Sequence, residues 1–213
     1  MNIPITNCSC FDPALLPSAP DARPWRGGSI PALLIFYYAL VLTLTVISSS
    51  AEEPHPTESQ VKAAYLYNFG KFVTWPATPA PSADSREICV LGKDPFGSVL
   101  DSTVAGESID GKKIEVRRLA KAQDAAHCSI LFVSESEASR LDAILPSLRR
   151  FGALTVSDIP HFAEHGGMIE FVMQQNKIRF AVNRAAAQQS HLVLSSELLK
   201  VAIRVIDKPQ GQP

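Results

Sequence analysis

Three groups of residues have side chains and spacing that could do chemistry. His161-Phe-Ala-Glu164-His165 has the H-x-x-E-H spacing, in which two histidines one helical turn apart hold zinc and the glutamate serves as base. That chemistry needs a stable helix, and Pro160 before the motif with Gly166 and Gly167 after it argue against one. No further carboxylate ligand is evident downstream, so no metal site is assigned. The second group is Gly92-Lys93-Asp94-Pro95-Phe96-Gly97. It lacks the spacing of a phosphate loop, because Ser98 and not lysine follows Gly97. It does follow a short apolar run, and loops at the carboxyl ends of strands form ligand crevices in doubly wound sheets. Lys93, Asp94 and Phe96 are therefore crevice candidates, with Asp158 from a later loop and Arg179 as its possible ionic partner. The plainer alternatives are that Phe96 plugs the core and that Asp158 caps the turn after it. The third group is the cysteines, considered below. There is no G-x-S-x-G, and His127, His161, His165 and His191 have no identifiable nucleophile beside them. No catalytic residue and no cofactor are assigned.

The elements that must position these groups begin with the stretch VKAAYLYNFGKFVTWP, residues 61–76. Val61, Tyr65, Phe69 and Phe72 recur at helical spacing, with Leu66 and Val73 widening the stripe, so the stretch reads as a helix that must dock. Thr57 and Gln60 have capping-box spacing at its start, and Pro76 forbids continuation at its end. Such a stripe is either core packing or an interaction surface. On the second reading Tyr65, Tyr67, Phe69, Phe72 and Trp75 are partner-binding candidates, aromatic residues being the type that dominates interface energetics.

After a Pro- and Ser-rich loop at 77–85, apolar runs at 87–92, 129–133 and 153–156 read as buried strands, and 113–119 alternates as a half-buried one. Between them, 98–104, 120–126 and 135–150 read as helical. The last of these has acidic residues in its first turn and Arg149 and Arg150 in its last. Strands at 168–174 and 177–182 are joined through Gln175 and Asn176 as a hairpin. Asn183 caps a helix over 184–190, and Ser195 or Ser196 caps a last one running through Ile206. Strands alternating with helices, then one hairpin, predict an α/β three-layer sandwich with a mostly parallel sheet and an antiparallel C-terminal hairpin.

The chain of 213 residues, 46% hydrophobic and 19% charged, suits one substantial core. A formal charge of -1 supplies no field to attract phosphates, which excludes a general nucleic-acid binder. Residues 1–51 stand apart from the fold. Arg23 and Arg26 precede an uncharged apolar run over 30–47, and Ser49-Ser50-Ala51 then offers a signal-peptidase site. The segment reads as an export signal, with an uncleaved inner-membrane anchor as the alternative because the run is about as long as a minimal span. Either way the domain over 52–206 works outside the cytoplasm, followed by a polar tail at 207–213. Export leaves Cys89 and Cys128 as the only cysteines of the mature domain, either bonded, as is usual in an oxidising compartment, or two buried thiols. If the strands at 87–92 and 129–133 are first and third in a 2-1-3 order, they lie side by side and a bond between them is geometrically natural.

The ordered set KAAYLYNFGKFVTWP, ICVLGKDPFG, HCSILFVS, GALTVSD, FAEHGGMIEFV and KIRFAVN behind an export signal resembles the YfiR family of exported bacterial proteins over 61–206. The resemblance implies a periplasmic α/β domain, often dimeric, whose partner is an inner-membrane signalling protein such as a diguanylate cyclase of cyclic-di-GMP signalling, or a sensor kinase. It implies a regulator that represses this partner and is not an enzyme. Cys89 and Cys128 match the family's disulfide between neighbouring strands. The family's second cysteine pair has no counterpart here; Ala163 and Glu170 stand in that neighbourhood. A periplasmic small-molecule sensor, using the crevice beside Lys93 and Asp158, is the competing reading.

Overall fold

The computed structural model describes residues 55–76 and 85–207, together with Tyr37. The expected export segment, the loop at 77–84 and the end of the tail at 208–213 lie outside the described residues.

Helix α1 (Glu58–Lys71) opens on a reciprocal capping box. The Gln60 amide N–H donates to Thr57 Oγ1 (3.3 Å) and the Thr57 amide N–H to Gln60 Oε1 (2.7 Å). The helix ends at Lys71, five residues before Pro76. Val73 and Thr74 instead form strand β1 (Val73–Thr74), paired antiparallel with β9 (Val193–Leu194). The β-branched pair finds a partner strand, which competes successfully with one more helical turn. The buried face also differs from the aromatic stripe. Lys62, Ala63, Leu66, Phe69 and Gly70 are buried, whereas Val61, Tyr65 and Phe72 are only half-buried. Ala63 and Gly70 matter because small residues let the helix approach the sheet; a Cβ on Gly70 would lie 2.3 Å from Ile109 Cδ1.

The remaining elements are β2 (Ser85–Leu91), α2 (Ser98–Val104), β3 (Ser108–Ile109), β4 (Lys112–Leu119), a 3-10 turn (Ala122–His127) and β5 (Cys128–Val133). A second 3-10 turn (Glu135–Arg140) leads into α3 (Leu141–Arg150), so the single helix expected over 135–150 is two pieces. Then come β6 (Leu154–Ser157), β7 (Ile169–Gln174), β8 (Lys177–Asn183), α4 (Arg184–Gln189), α5 (Ser196–Val201) and β10 (Arg204–Ile206). The last helix therefore stops at Val201 and does not reach Ile206. Residues 204–206 leave it to pair in parallel with Ala181, Val182 and Asn183.

The described strands other than β1 and β9 form one sheet of order β10-β8-β7-β6-β5-β2-β4-β3, mixed and largely parallel, with antiparallel pairs at β7–β8 and β3–β4. The β4-β2-β5 order is the 2-1-3 arrangement expected from sequence. Gln175 and Asn176 turn the hairpin with φ of 49° and 57°, the double left-handed geometry of a two-residue loop that matches strand twist. Alternate residues of the central strands enter different apolar clusters. Ile88, Val90, Ile130 and Phe132 pack with Leu66, Phe69 and Leu100 of α1 and α2. Cys89, Leu91, Leu131 and Val133 pack with Leu141, Leu145 and Leu148 of α3. Period-two alternation with both sets apolar is what a sheet covered on both faces requires.

Cys89 and Cys128 are bonded across β2 and β5, with Cα atoms 5.8 Å apart. A register shift between Glu87 and Ile88 sets Cys128 opposite Glu87, and the bond runs diagonally to Cys89. The turn between β6 and β7 is tied by a side chain. Glu170 on β7, buried, accepts hydrogen bonds from the backbone N–H of His161 (3.1 Å) and of Ala163 (3.1 Å). One carboxylate thus holds the turn between β6 and β7.

Candidate functional site

In an open sheet whose strand order reverses, two neighbouring strands send their following segments to opposite faces, and a crevice opens beyond their carboxyl ends. Here the reversal lies between β2 and β5, since β2 runs on to β4 on one side and the chain then crosses to β5 on the other. A crevice of about 400 Å³ lies there, lined by Lys93, Asp94 and Pro95 after β2, by Ser134, Glu135 and Ser136 after β5, and by Asp158 after β6. A second chamber of about 220 Å³ shares Glu135 and Asp158 and continues along Pro160, Phe171, Met173 and Ile178 to Glu58 and Lys62 of α1.

Local chemistry holds the rim in place. Gly92 takes φ +88°, and a Cβ there would sit 2.4 Å from Ser136 Oγ, so only glycine lets the two loops approach. Ser136 Oγ in turn accepts from the Lys93 backbone N–H at 2.9 Å. Asp94 folds its own loop by accepting from the Phe96 N–H at 2.7 Å. It also takes a hydrogen bond from Arg118 (3.0 Å), which bonds Asp101 at 2.5 Å as well. The hydrogen bond from Arg118 holds the Asp101 carboxyl below its ordinary range, outweighing a small desolvation. On the β6 side, Ser157 Oγ donates to the Val133 carbonyl (2.7 Å) and accepts from the Ile159 N–H (3.0 Å), which fixes the loop that carries Asp158.

Of the five crevice candidates, Lys93, Asp94 and Asp158 come together. Phe96 does not line the crevice; it is buried edge-to-face against Phe132 with centroids 4.8 Å apart, the plugging alternative. Arg179 is exposed on β8, opposite Val172, and forms no ion pair with Asp158. The partner of Asp158 is Lys62, at 2.7 Å, which also meets Glu58 at 2.5 Å. Burial pushes the Lys62 ammonium down, but its hydrogen bonds to Asp158 and Glu58 more than offset this and raise it. Lys62 was legible in principle: it falls at i-4 and i-7 from Leu66 and Phe69, a cation inside an apolar stripe, and such a residue needs a carboxylate partner.

The aromatic candidates have diverse surroundings. Phe69 is buried, stacked with Phe171 (5.8 Å) and edge-on to Phe180 (5.0 Å), and Tyr65 joins the same cluster. Tyr67 is half-buried, bonds Glu107 and carries Lys71 over its ring at 4.0 Å. Phe72 is half-buried against the core. Trp75 is half-buried, donates to the Ser129 carbonyl (3.3 Å) and carries Arg86 over its face at 4.3 Å. In the H-x-x-E-H segment His161 has φ +63°, which no helix tolerates. His161 Nδ1 meets Glu164 (3.0 Å) while His165 Nδ1 meets Asp142 (3.1 Å), so the two rings engage different carboxylates. Among the described residues no helix is long and apolar enough to cross a membrane.

Fold and crevice together define a disulfide-bridged, mixed α/β domain with a cavity at the sheet's switch point. Residues 59–203 match the model of the YfiR/HmsC-like family, and the chain belongs to that family. No curated protein matches it in sequence. Among solved structures it is similar to a conserved domain protein from Vibrio cholerae O1 biovar El Tor, at 11% identity and a TM-score of 0.48, covering 67% of this chain and 59% of that one. It is also similar to an ABC domain in complex with L-Trp from Streptococcus pneumoniae, at 14% identity and a TM-score of 0.49, covering 68% of this chain and 60% of that one. The chain thus spans about three fifths of the length of these solved proteins.

Proposed function

We propose that the chain is an exported regulatory domain that binds the periplasmic part of an inner-membrane signalling protein, a diguanylate cyclase, and holds it inactive. The observation that carries this reading is membership of the YfiR/HmsC-like family across residues 59–203, with the role that the resemblance to YfiR implies. A disulfide between buried strands supports placement outside the cytoplasm. The mechanism is differential affinity: the domain binds the partner's inactive conformation more tightly, and each tenfold preference shifts the partner's equilibrium by about 1.4 kcal/mol. The outer faces of Tyr67 and Trp75 serve as anchors, Phe69 being committed to the core. The domain acts as a homodimer.

The test is deletion of the gene with measurement of cellular cyclic-di-GMP, alongside co-purification of the tagged chain from membranes. Raised cyclic-di-GMP and capture of a cyclase support the reading; unchanged levels with no cyclase captured sink it. A second reading, a small-molecule sensor, is favoured by one observation, the crevice beyond β2, β5 and β6 with an ion pair at its divide. Thermal shift across a panel of metabolites tests it, and silence throughout counts against it.

A further inference from the structure

The two ends of the large sheet are built differently. At one end β4 meets β3 only through Lys112 and Lys113, so from Ile114 onward its outer side has no partner strand among the described residues. Glu115, Arg117 and Arg118 stand along that stretch, and charges of this kind keep an open edge from pairing with another chain. At the other end β10 has no such guard. Its one charged residue, Arg204, is engaged within the chain by Glu164 and lies 3.7 Å from Glu170, and Val205 and Ile206 complete the strand. Asp207 just beyond is paired with Arg184 at 2.7 Å. Among the described residues no strand covers the outer side of β10, and Ile203 beside it is 43% exposed. The backbone there has a definite polarity. The Ile203 N–H donates to the Phe180 carbonyl (3.0 Å), so by the alternation of a parallel ladder Val205 also turns its backbone groups toward β8. Arg204 and Ile206 then turn theirs outward, each with one donor and one acceptor to place.

We propose that β10 pairs antiparallel with β10 of a second copy, about a two-fold axis at Val205, so that two sheets become one. A two-fold axis normal to the sheet brings like edges together antiparallel, and only residues whose backbone groups face outward can exchange bonds across it. Centred on Val205, the axis sets Arg204 opposite Ile206 of the second copy and Ile206 opposite that copy's Arg204, which pairs every outward group of both strands. Charge selects this register over its neighbours. Centring on Arg204 would face two guanidinium groups, and centring on Ile206 would set Arg204 against Lys208. On the face that Ile203 shares with Val205, the axis gathers both side chains from each copy into one apolar patch and takes the exposed Ile203 out of water. The proposal rests on the homodimer reading and says which surface makes the dimer.

The experiment is light scattering on the full chain, expressed with its own N-terminal segment, over a concentration series, with cysteine cross-linking as the positional readout. The parent is expected to dimerise. Val205→Cys is expected to give a disulfide-linked dimer on mild oxidation, since Cα atoms of a non-hydrogen-bonded antiparallel pair lie about 4.5 Å apart, within disulfide reach. The parent, whose Cys89 and Cys128 are bonded to each other, and Val193→Cys, at a 64% exposed position on β9, set the background. Ile206→Pro deletes an outward N–H, which an edge strand tolerates, and removes two of the bonds across the axis, so it is expected to weaken dimerisation roughly tenfold. Should it fail to fold, Val205→Lys, which sets two ammonium groups opposite each other, takes its place with the same expected direction. A dimer in which Val205→Cys links no better than Val193→Cys, and which Ile206→Pro or Val205→Lys leaves intact, overturns the proposed edge while the homodimer reading stands. A chain monomeric at every concentration overturns both, and Val205→Cys linking to a different protein in cells and not to itself assigns the edge to that protein and overturns the proposal.

Discussion

Glu170→Gln keeps the size of the side chain but removes its charge and turns one acceptor oxygen into a donor, and the structure says what that should cost. The Glu170 side chain is only 8% exposed. Its two oxygens accept separately from the amides of His161 and Ala163, each at 3.1 Å, with Arg204 Nη2 at 3.7 Å from Oε2. A glutamine can offer one acceptor oxygen, so whichever way the amide turns, one backbone N–H faces another donor. Losing a charge-assisted hydrogen bond and stranding a buried donor together cost about 2–4 kcal/mol. The left-handed backbone of His161 limits the effect, since a turn that relaxes once the bond is lost recovers the about 1–2 kcal/mol that this conformation costs a non-glycine residue. For a domain of this size a loss of about 3 kcal/mol lowers Tm by roughly 6–12 °C. Urea unfolding should show a lower midpoint at unchanged slope, and hydrogen exchange should quicken at the Ala163 and His161 amides. Glu164→Gln, at a more exposed neighbour, is the control and should leave the midpoint nearly unmoved. If Glu170→Gln lies within about 0.5 kcal/mol of the parent, the carboxylate does not staple this turn.

Replacing both Cys89 and Cys128 by alanine opens a loop of 39 positions, and unfolding free energy should fall by about 4 kcal/mol in denaturant titration. The Asp101 carboxyl is depressed by Arg118, so its contribution is fully present above its ordinary value of 3.8 and is lost as pH falls through the lower folded value. Asp101→Asn should accordingly flatten the acid limb of a stability-versus-pH curve below about pH 4 and leave the shape near neutrality alone. Gly92→Ala puts a Cβ 2.4 Å from Ser136 Oγ at φ +88° and should destabilise by about 1–3 kcal/mol, read by thermal melting.

Much of the fold was legible because the central strands carry their burial in their composition. ICVL and ILFV are apolar at every position, and only a sheet covered on both faces makes use of both sets. The capping box of Thr57 and Gln60 and the Gln175-Asn176 turn are local geometries, settled within three residues, and both stand where the sequence placed them. What escaped was decided at a distance. Val73–Thr74 leaves the helix because a strand 120 positions later, Val193–Leu194, is there to pair with it. Arg204–Ile206 joins the sheet because β8 has an open edge. No local propensity encodes either partner.

The crevice divides along the same line. That Lys93, Asp94 and Asp158 share a cavity follows from topology: once strand order is known, loops at the carboxyl ends of adjacent parallel strands must converge. Pairing Asp158 with Arg179 required more, namely which face of which element looks into the space. Arg179 lies between the buried Phe180 and the half-buried Ile178 of β8, is exposed, and makes no ion pair among the described residues. Lys62 is on a helix packed against the sheet, with its stem among buried residues and its ammonium between two carboxylates. A buried cation must find its counter-charge, whereas an exposed one is satisfied by water, so between two basic residues the one inside the apolar stripe is the better guess for a carboxylate at a cavity floor.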